Sequence, residues 1–135
     1  MSEVDALLFA NEAFYRAFAD RDYPAMAAVW AETEPVVCVH PGWDVLAGRD
    51  GVLRSWAAIL GNPDSPDIRC HEAVAHVLGE VAMVVCYEEI DGQYLIATNV
   101  FLREGRIWKM IHHQSGPTSG RPAASARAEG PDKPN

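Results

Sequence analysis

The sequence predicts an α+β domain in which helices come first and an antiparallel sheet follows, and three observations carry that prediction. Apolar residues recur at helical spacing only before Gly61; from Ile68 to Ser115 the pattern changes to long β-like runs; and those runs are separated by Gly79-Glu80, Asp91-Gly92 and Glu104-Gly105, each short enough for a tight hairpin. With 135 residues, 49% hydrophobic and 22% charged, the chain has the apolar mass for one core and too little length for two.

Val4, Leu7, Leu8, Asn11, Phe14, Tyr15 and Phe18 fall on one stripe, so a helix is expected over 3–20, with Asn11 as the polar position on its buried side. Asp22 is a good N-cap for a second, short helix that tolerates Pro24 in its first turn and turns Met26, Val29 and Trp30 inward. "EPVVCVH" reads as a strand stopped by Pro41-Gly42. A third helix follows "GRDG", with Val52, Leu53, Trp56, Ile59 and Leu60 on its apolar face, and ends at "GNPDSPD". Four antiparallel strands then make a meander. From Pro117 to Asn135 only Pro, Gly, Ala, Ser, Thr and polar or charged residues occur, so 117–135 is expected to be a disordered tail.

Counting outward from the three turns gives a register, because directly paired residues share a face. It pairs Glu88 with Leu95, Cys86 with Ala97, Val84 with Asn99, Phe101 with Trp108, Asn99 with Met110, Ala97 with His112, Leu95 with Gln114 and His71 with Glu88. Lys109 falls on the opposite face, and lysine is rarely buried, so the face with Glu88 is assigned to the interior. That face has a large apolar end (Phe101, Trp108, Met110), a row of small residues (Ala73, Cys86, Ala97) that leaves space under the helices, and a polar end (His71, Glu88, His112, Gln114). Such a mixture suits a small-molecule pocket. A bulge in any hairpin would exchange the faces beyond it and turn His113 inward in place of His112. The outer face, with Val74, Val85, Ile96, Val100, Leu102 and Ile111, is too apolar for water and predicts a homodimer through the sheets.

The formal net charge of -8 and the scattered basic residues argue against nucleic-acid binding. No apolar run is long enough to span a membrane, and "MSEVDALLF" has neither the basic start nor the apolar core of a signal peptide, so a cytoplasmic location is expected. Cys38, Cys70 and Cys86 lie inside apolar runs, as reduced core cysteines do, and no zinc spacing occurs.

Glu88 is the sharpest candidate: a desolvated carboxylate has a raised pKa and can act as a general base, the plain alternative being a rim pair with His71. His112 either shuttles protons or is a core histidine. His40 and Trp43 flank the Pro41-Gly42 turn, as a pocket mouth or as turn packing. Trp56 is a wall of the core or of a ligand site, and Asn99 and Gln114 either hold a substrate oxygen or bond each other and Asn11. A metal set of His71, Glu88 and His112 would need strand residues two rows apart to meet, so no metal and no cofactor is expected.

The order of "VHPGW", "GRDGVLRSW" and "ATNVFLREGRIWKMIHHQSG" resembles the nuclear-transport-factor-2-like superfamily, and within it the SnoaL-like and ketosteroid-isomerase-like bacterial proteins, over Ala6 to Gly116. The last hairpin is also similar to the association domain of calcium/calmodulin-dependent protein kinase II, where basic residues line the cavity at positions corresponding to Glu88 and Asn99. The resemblance implies one SnoaL-like domain over 1–116, a cone-like (cystatin-like) roll with three helices on a strongly curved, mainly antiparallel sheet around a pocket, and commonly a dimer. It also implies that Tyr15 stands where the steroid isomerases carry a helix-borne tyrosine, although no inner-face Asp matches their base.

The combined expectation is a cofactor-free acid/base enzyme of isomerase, dehydratase or cyclase type acting on a small, partly apolar carbonyl compound. Glu88 or His112 would move the proton, His71 would orient Glu88, Asn99 and Gln114 would hold the substrate oxygen, and Tyr15, His40, Trp43, Trp56, Phe101 and Trp108 would line the site. The alternative is a ligand-binding or dimerisation module of the same fold without enzymatic activity.

Overall fold

Ser2 opens the first helix: its hydroxyl accepts from the Asp5 N–H at 3.0 Å while the Asp5 carboxylate accepts from the Ser2 N–H, a reciprocal cap. The computed structural model describes residues 2–123, in which α1 (Glu3–Ala19), α2 (Tyr23–Val29), β1 (Val37–Val39), β2 (Leu46–Ala47), α3 (Arg49–Gly61), β3 (Arg69–Leu78), β4 (Val81–Ile90), β5 (Gln93–Glu104) and β6 (Ile107–Pro117) follow in order. Asp22 caps α2 through the Ala25 N–H, as its position before Pro24 predicts. The three helices and the meander thus fall where spacing and turn residues put them; β2 is additional.

The strands form one sheet in the order β2-β1-β6-β5-β4-β3. All neighbours are antiparallel except β1 and β6, which run parallel with Val37 beside His112 and Cys38 beside His113. The chain is led there from α2, where the Ala31 N–H donates to the Met110 carbonyl at 3.0 Å. Arg49 secures the same junction: its guanidinium donates to the carbonyls of Trp30 (2.8 Å), Ala31 (2.9 Å) and Ala27 (3.2 Å), placing a cation on orphan carbonyls at the end of α2.

The β4–β5 hairpin has the counted register over its whole length, from Ile90 opposite Gln93 to Val81 opposite Leu102. Asp91 and Gly92 both take positive φ (51° and 78°), the backbone twist that a two-residue hairpin turn requires. The other two hairpins depart from simple counting. The last turn is Gly105-Arg106, since Glu104 pairs with Ile107. That offset is even, so Trp108 and Met110 still point inward with Phe101. Between Met110 (opposite Phe101) and His112 (opposite Val100) one extra residue is inserted, and every later side chain changes face. Asn99 therefore faces His113 and Ala97 faces Ser115, so the inward assignment of His112 and Gln114 is corrected to His113 and Ser115. On β3, Glu72 and Ala73 together oppose Cys86, with Glu72 at φ 52°. Cys70 thereby faces inward beside Glu88, while His71 turns outward opposite Tyr87 and does not orient Glu88.

The helices cover the inner face with Leu7, Phe14 and Phe18 of α1, Met26 of α2, and Val52 and Trp56 of α3, all buried. Phe101 and Trp108 are buried in this core rather than in a pocket wall with Glu88, a second correction. The segment expected to be a disordered tail begins inside β6, whose last residue is Pro117, and the Ala123 N–H reaches the Glu72 carboxylate at 2.7 Å; residues 124–135 lie outside the described residues.

Replacing Arg49 by alanine is expected to cost about 2 kcal/mol, the scale of charge-assisted hydrogen bonds lost to buried carbonyls. Urea unfolding would show a lower midpoint at unchanged slope. A loss under about 0.5 kcal/mol would mean that packing alone holds the end of α2.

Candidate active site

Alternation along β4 sends Val84, Cys86 and Glu88 to the same buried face, so a carboxylate is forced into an apolar interior with 2% exposure. Such a group is tolerable only when its oxygens are bonded. The Tyr15 hydroxyl, from the buried stripe of α1, donates to Glu88 Oε2 at 2.6 Å, and the Ser115 hydroxyl donates to Oε1 at 2.7 Å.

Following the protons from there determines the rest. The one Tyr15 proton is used on Glu88, so its oxygen accepts: from Asn99 Nδ2 at 3.1 Å, and from the Cys86 thiol at 3.2 Å. Asn99, fully buried, also donates from Nδ2 to Asn11 Oδ1 at 2.8 Å. Its Oδ1 is therefore an acceptor, and the group 2.6 Å away, His113 Nδ1, must carry the hydrogen. His113 Nε2 is left as a bare acceptor 4.0 Å from Glu88 Oε2.

Burial raises the Glu88 pKa, with the Tyr15 and Ser115 hydrogen bonds pulling it back. Burial pushes His113 down to about 3, helped by neighbouring His112, so its ring is neutral at pH 7. Tyr15 is raised well above its ordinary value by burial and then by the Glu88 charge, and so keeps its proton.

Glu88 and His113 look into a pocket of about 450 Å³ between α3, the loop after it and the sheet. Trp56 forms one wall, edge-on to Phe14, Phe18 and His40, and Trp43 stands at the mouth with 47% exposure. His40 is buried against both tryptophans. Ser55 gives its hydroxyl proton to the Val52 carbonyl at 2.6 Å, so His40 Nε2 donates to Ser55 Oγ at 2.9 Å. Burial, then the proximity of His113, lowers the His40 pKa to about 4. Arg21, at φ 54°, donates to the carbonyls of Ile59, Asn62 and Ser65 and so holds the loop that forms the rim. A wider groove of about 600 Å³ lies on the far side of Tyr15, between α1 and β3, and meets neither Glu88 nor His113.

Of the residues singled out from the sequence, Glu88, His40, Trp43 and Trp56 meet in this pocket. Tyr15 and Asn99 stand behind it and hold its acid and its histidine. His71 instead pairs with Glu89 at 2.8 Å, and His112 donates from Nδ1 to the Val37 carbonyl at 3.0 Å on the outer side, where Gln114 is exposed. Sequence reasoning turned His113 inward only in the event of a bulge, which β6 has, and missed Ser115. Their shared face was readable from their spacing of two, but the direction of that face was not. Among the described residues, no group of three or more His, Cys, Asp or Glu side chains is arranged to hold a metal ion, and no helix is long and apolar enough to cross a membrane.

The neutral burial of His113 and His40 makes folding pH-dependent. Unfolded histidine protonates near pH ~6.5 while these two stay neutral in the fold until about 3 and 4, so stability falls as pH drops below ~6.5. Each contributes up to about 1.4 kcal/mol per pH unit in that window. Glu88, with its raised pKa, acts in the opposite sense. The variant His113→Asn, which keeps a donor toward Asn99, is expected to flatten the slope of unfolding free energy between pH ~6.5 and ~5 by one histidine's share. An unchanged slope would show that His113 titrates alike in both states.

Residues 8–119 match the model of the SnoaL-like domain family. A crystal structure of a candidate dehydratase of the nuclear-transport-factor-2-like family from Streptomyces avermitilis is 32% identical with a TM-score of 0.79, over 87% of this chain and 97% of that one. A candidate calcium/calmodulin-dependent protein kinase type II association domain from Thiobacillus denitrificans is 30% identical with a TM-score of 0.71, over 82% of this chain and 93% of that one. The F-box protein SKIP8 of Arabidopsis thaliana is 30% identical over 112 residues, 82% of this chain but 48% of the relative, so the chain spans about half its length.

Proposed function

The chain belongs to the SnoaL-like domain family, and we propose that it is a cofactor-free acid/base enzyme, of dehydratase or isomerase type, acting on a small, partly apolar carbonyl compound. The observation that carries this reading is the pairing of Glu88 Oε2 and His113 Nε2, 4.0 Å apart, on one wall of a tryptophan-lined pocket. Glu88 is the base: desolvation strengthens it, and its two hydroxyl donors hold it in one orientation. His113 takes the position in the mechanism that the sequence had given to His112. Its bare Nε2 accepts a hydrogen bond from a substrate hydroxyl and so orients the molecule over the carboxylate.

Glu88 removes the proton from the carbon next to the carbonyl, leaving an enolate. The same proton then returns on the same face, either to the hydroxyl that departs as water, with cleavage of the C–O bond, or, in a substrate with a carbon–carbon double bond beside the deprotonated carbon, to the far carbon of that bond, which shifts into conjugation with the carbonyl. Dehydration and isomerisation are thus two outcomes of one deprotonation. The likeness to the Streptomyces candidate dehydratase supports the first. The likeness to an association domain supports a contrasting reading, a binding or assembly module with the same pocket and no turnover.

The outer sheet face supports the proposal of a homodimer, since Val74 is 53% exposed there and Val85, Ile96, Val100 and Leu102 are half-buried. Sedimentation velocity is expected to give a dimer that Val74→Asp dissociates. A monomeric wild-type protein would remove this part of the proposal.

Proton NMR in D₂O, run on a panel of β-hydroxy ketones, is expected to show enzyme-dependent exchange at the carbon next to the carbonyl. Glu88→Gln should slow it at least about 100-fold, and His113→Ala about 10-fold or more. Exchange that is equally fast in Glu88→Gln would sink the acid/base mechanism; binding without any exchange would favour the module.

A further inference from the structure

Which molecules can enter the pocket is decided by its charges. No lysine or arginine lines it, and the arginine at its rim, Arg21, has its guanidinium committed to the carbonyls of Ile59, Asn62 and Ser65. Its two histidines are committed in the fold: His113 spends its one N–H on Asn99 and offers only a lone pair, and His40 spends its Nε2 proton on Ser55. Neither is cationic at pH 7, because burial holds both well below the usual histidine range. The remaining ionisable groups are acidic, Glu88 on the inner wall and Asp64 at the rim. Both Glu88 oxygens already accept hydrogen bonds, which keeps that side chain an acceptor toward whatever enters.

An anion placed there would lose its hydration and meet acceptors and negative charge with no uncommitted cation among the lining residues, an unfavourable arrangement for a buried ion. A neutral acceptor such as a carbonyl enters at modest cost, since it gives up far less hydration than a carboxylate.

We infer that the pocket selects an uncharged hydroxy-carbonyl compound with an aromatic or alicyclic body and rejects carboxylates and phosphate esters, the hydroxyl facing His113 and Glu88 and the apolar body lying between Trp43 and Trp56. This rests on the proposed acid/base role of Glu88 for the substrate's chemistry, and on pocket composition alone for its charge.

Three probes of one shape and different charge test the inference by titration calorimetry at pH 7: 2-acetylnaphthalene, 2-naphthoate and 2-naphthylmethylammonium. The ketone is expected to bind at least about tenfold more tightly than the carboxylate, a difference of about 1.4 kcal/mol, and at least as tightly as the ammonium compound. Glu88→Gln should improve naphthoate binding several-fold. Asp64→Lys, on an exposed rim residue whose replacement does not disturb the core, should improve naphthoate binding several-fold and leave the ketone nearly unchanged, including where Glu88→Gln folds poorly. Naphthoate binding as tight as the ketone in wild type, a tighter ammonium complex, or no binding by any probe would overturn the inference. Failure here with Glu88-dependent proton exchange intact would leave the acid/base reading standing. The expected charge preference without Glu88-dependent exchange would leave the charge selectivity and remove the catalysis.

Discussion

Glu88 is the constraint around which the interior is arranged. A carboxylate with 2% exposure destabilises a fold by several kcal/mol unless donors reach it, and the donors come from two distant parts of the chain. Tyr15 arrives from the first helix and Ser115 from the last strand, 73 and 27 residues away in sequence. Tyr15 must then be oriented, which Asn99 and Cys86 do by donating to its oxygen; Asn99 must be oriented, which Asn11 and His113 do. Every polar atom in that chain has one role, so helix α1 and strands β4, β5 and β6 are tied by hydrogen-bond direction as well as by apolar contact. Such a network specifies one arrangement more sharply than packing does, since any rotation leaves a buried donor or acceptor unmet.

The same economy of protons sets the state of the two groups to which the chemistry is proposed. Because Asn99 takes the Nδ1 hydrogen of His113, the opposite nitrogen is bare; because Tyr15 and Ser115 take the Glu88 oxygens from behind, the carboxylate is held toward the pocket. Glu88 and His113 are thus oriented by residues that do not line the pocket. Arg21 and Arg49, which look like surface charges in the sequence, act similarly at a distance: one holds the loop at the pocket rim and the other closes the end of α2, each by placing a cation on backbone carbonyls.

Two bulges decide which side chains the outer ends of the sheet turn inward. Each inserts one residue, bends its strand and exchanges the faces beyond it. Without the one in β6, His112 and Gln114 would fill the interior and His113 would face outward; without the one in β3, His71 would sit beside Glu88 in place of Cys70. The first would remove the ring that donates to the Asn99 carbonyl oxygen. The second would bring a second basic ring against the carboxylate and compete with Tyr15 for it.

Local chemistry in the sequence determined the helices, through the apolar stripes and the caps at Ser2 and Asp22, the turns of the first two sheet hairpins, and the full register of β4 on β5, because Asp91-Gly92 admits a single tight turn and neither strand is interrupted. It also marked Glu88, His40, Trp43 and Trp56 as residues that would meet, and Asn11 as a polar group in need of a buried partner. Tertiary structure alone decided the faces of β3 and β6, the pairing of β1 alongside β6, and the choice of His113 over His112. The reason is physical: an extra residue in a strand leaves no local signature, and whether it is inserted depends on what the far face must satisfy. Here that is the Asn99 carbonyl oxygen, which needs a donor, and a Glu88 oxygen, which needs a second one; a single inserted residue supplies both by bringing His113 and Ser115 inward together.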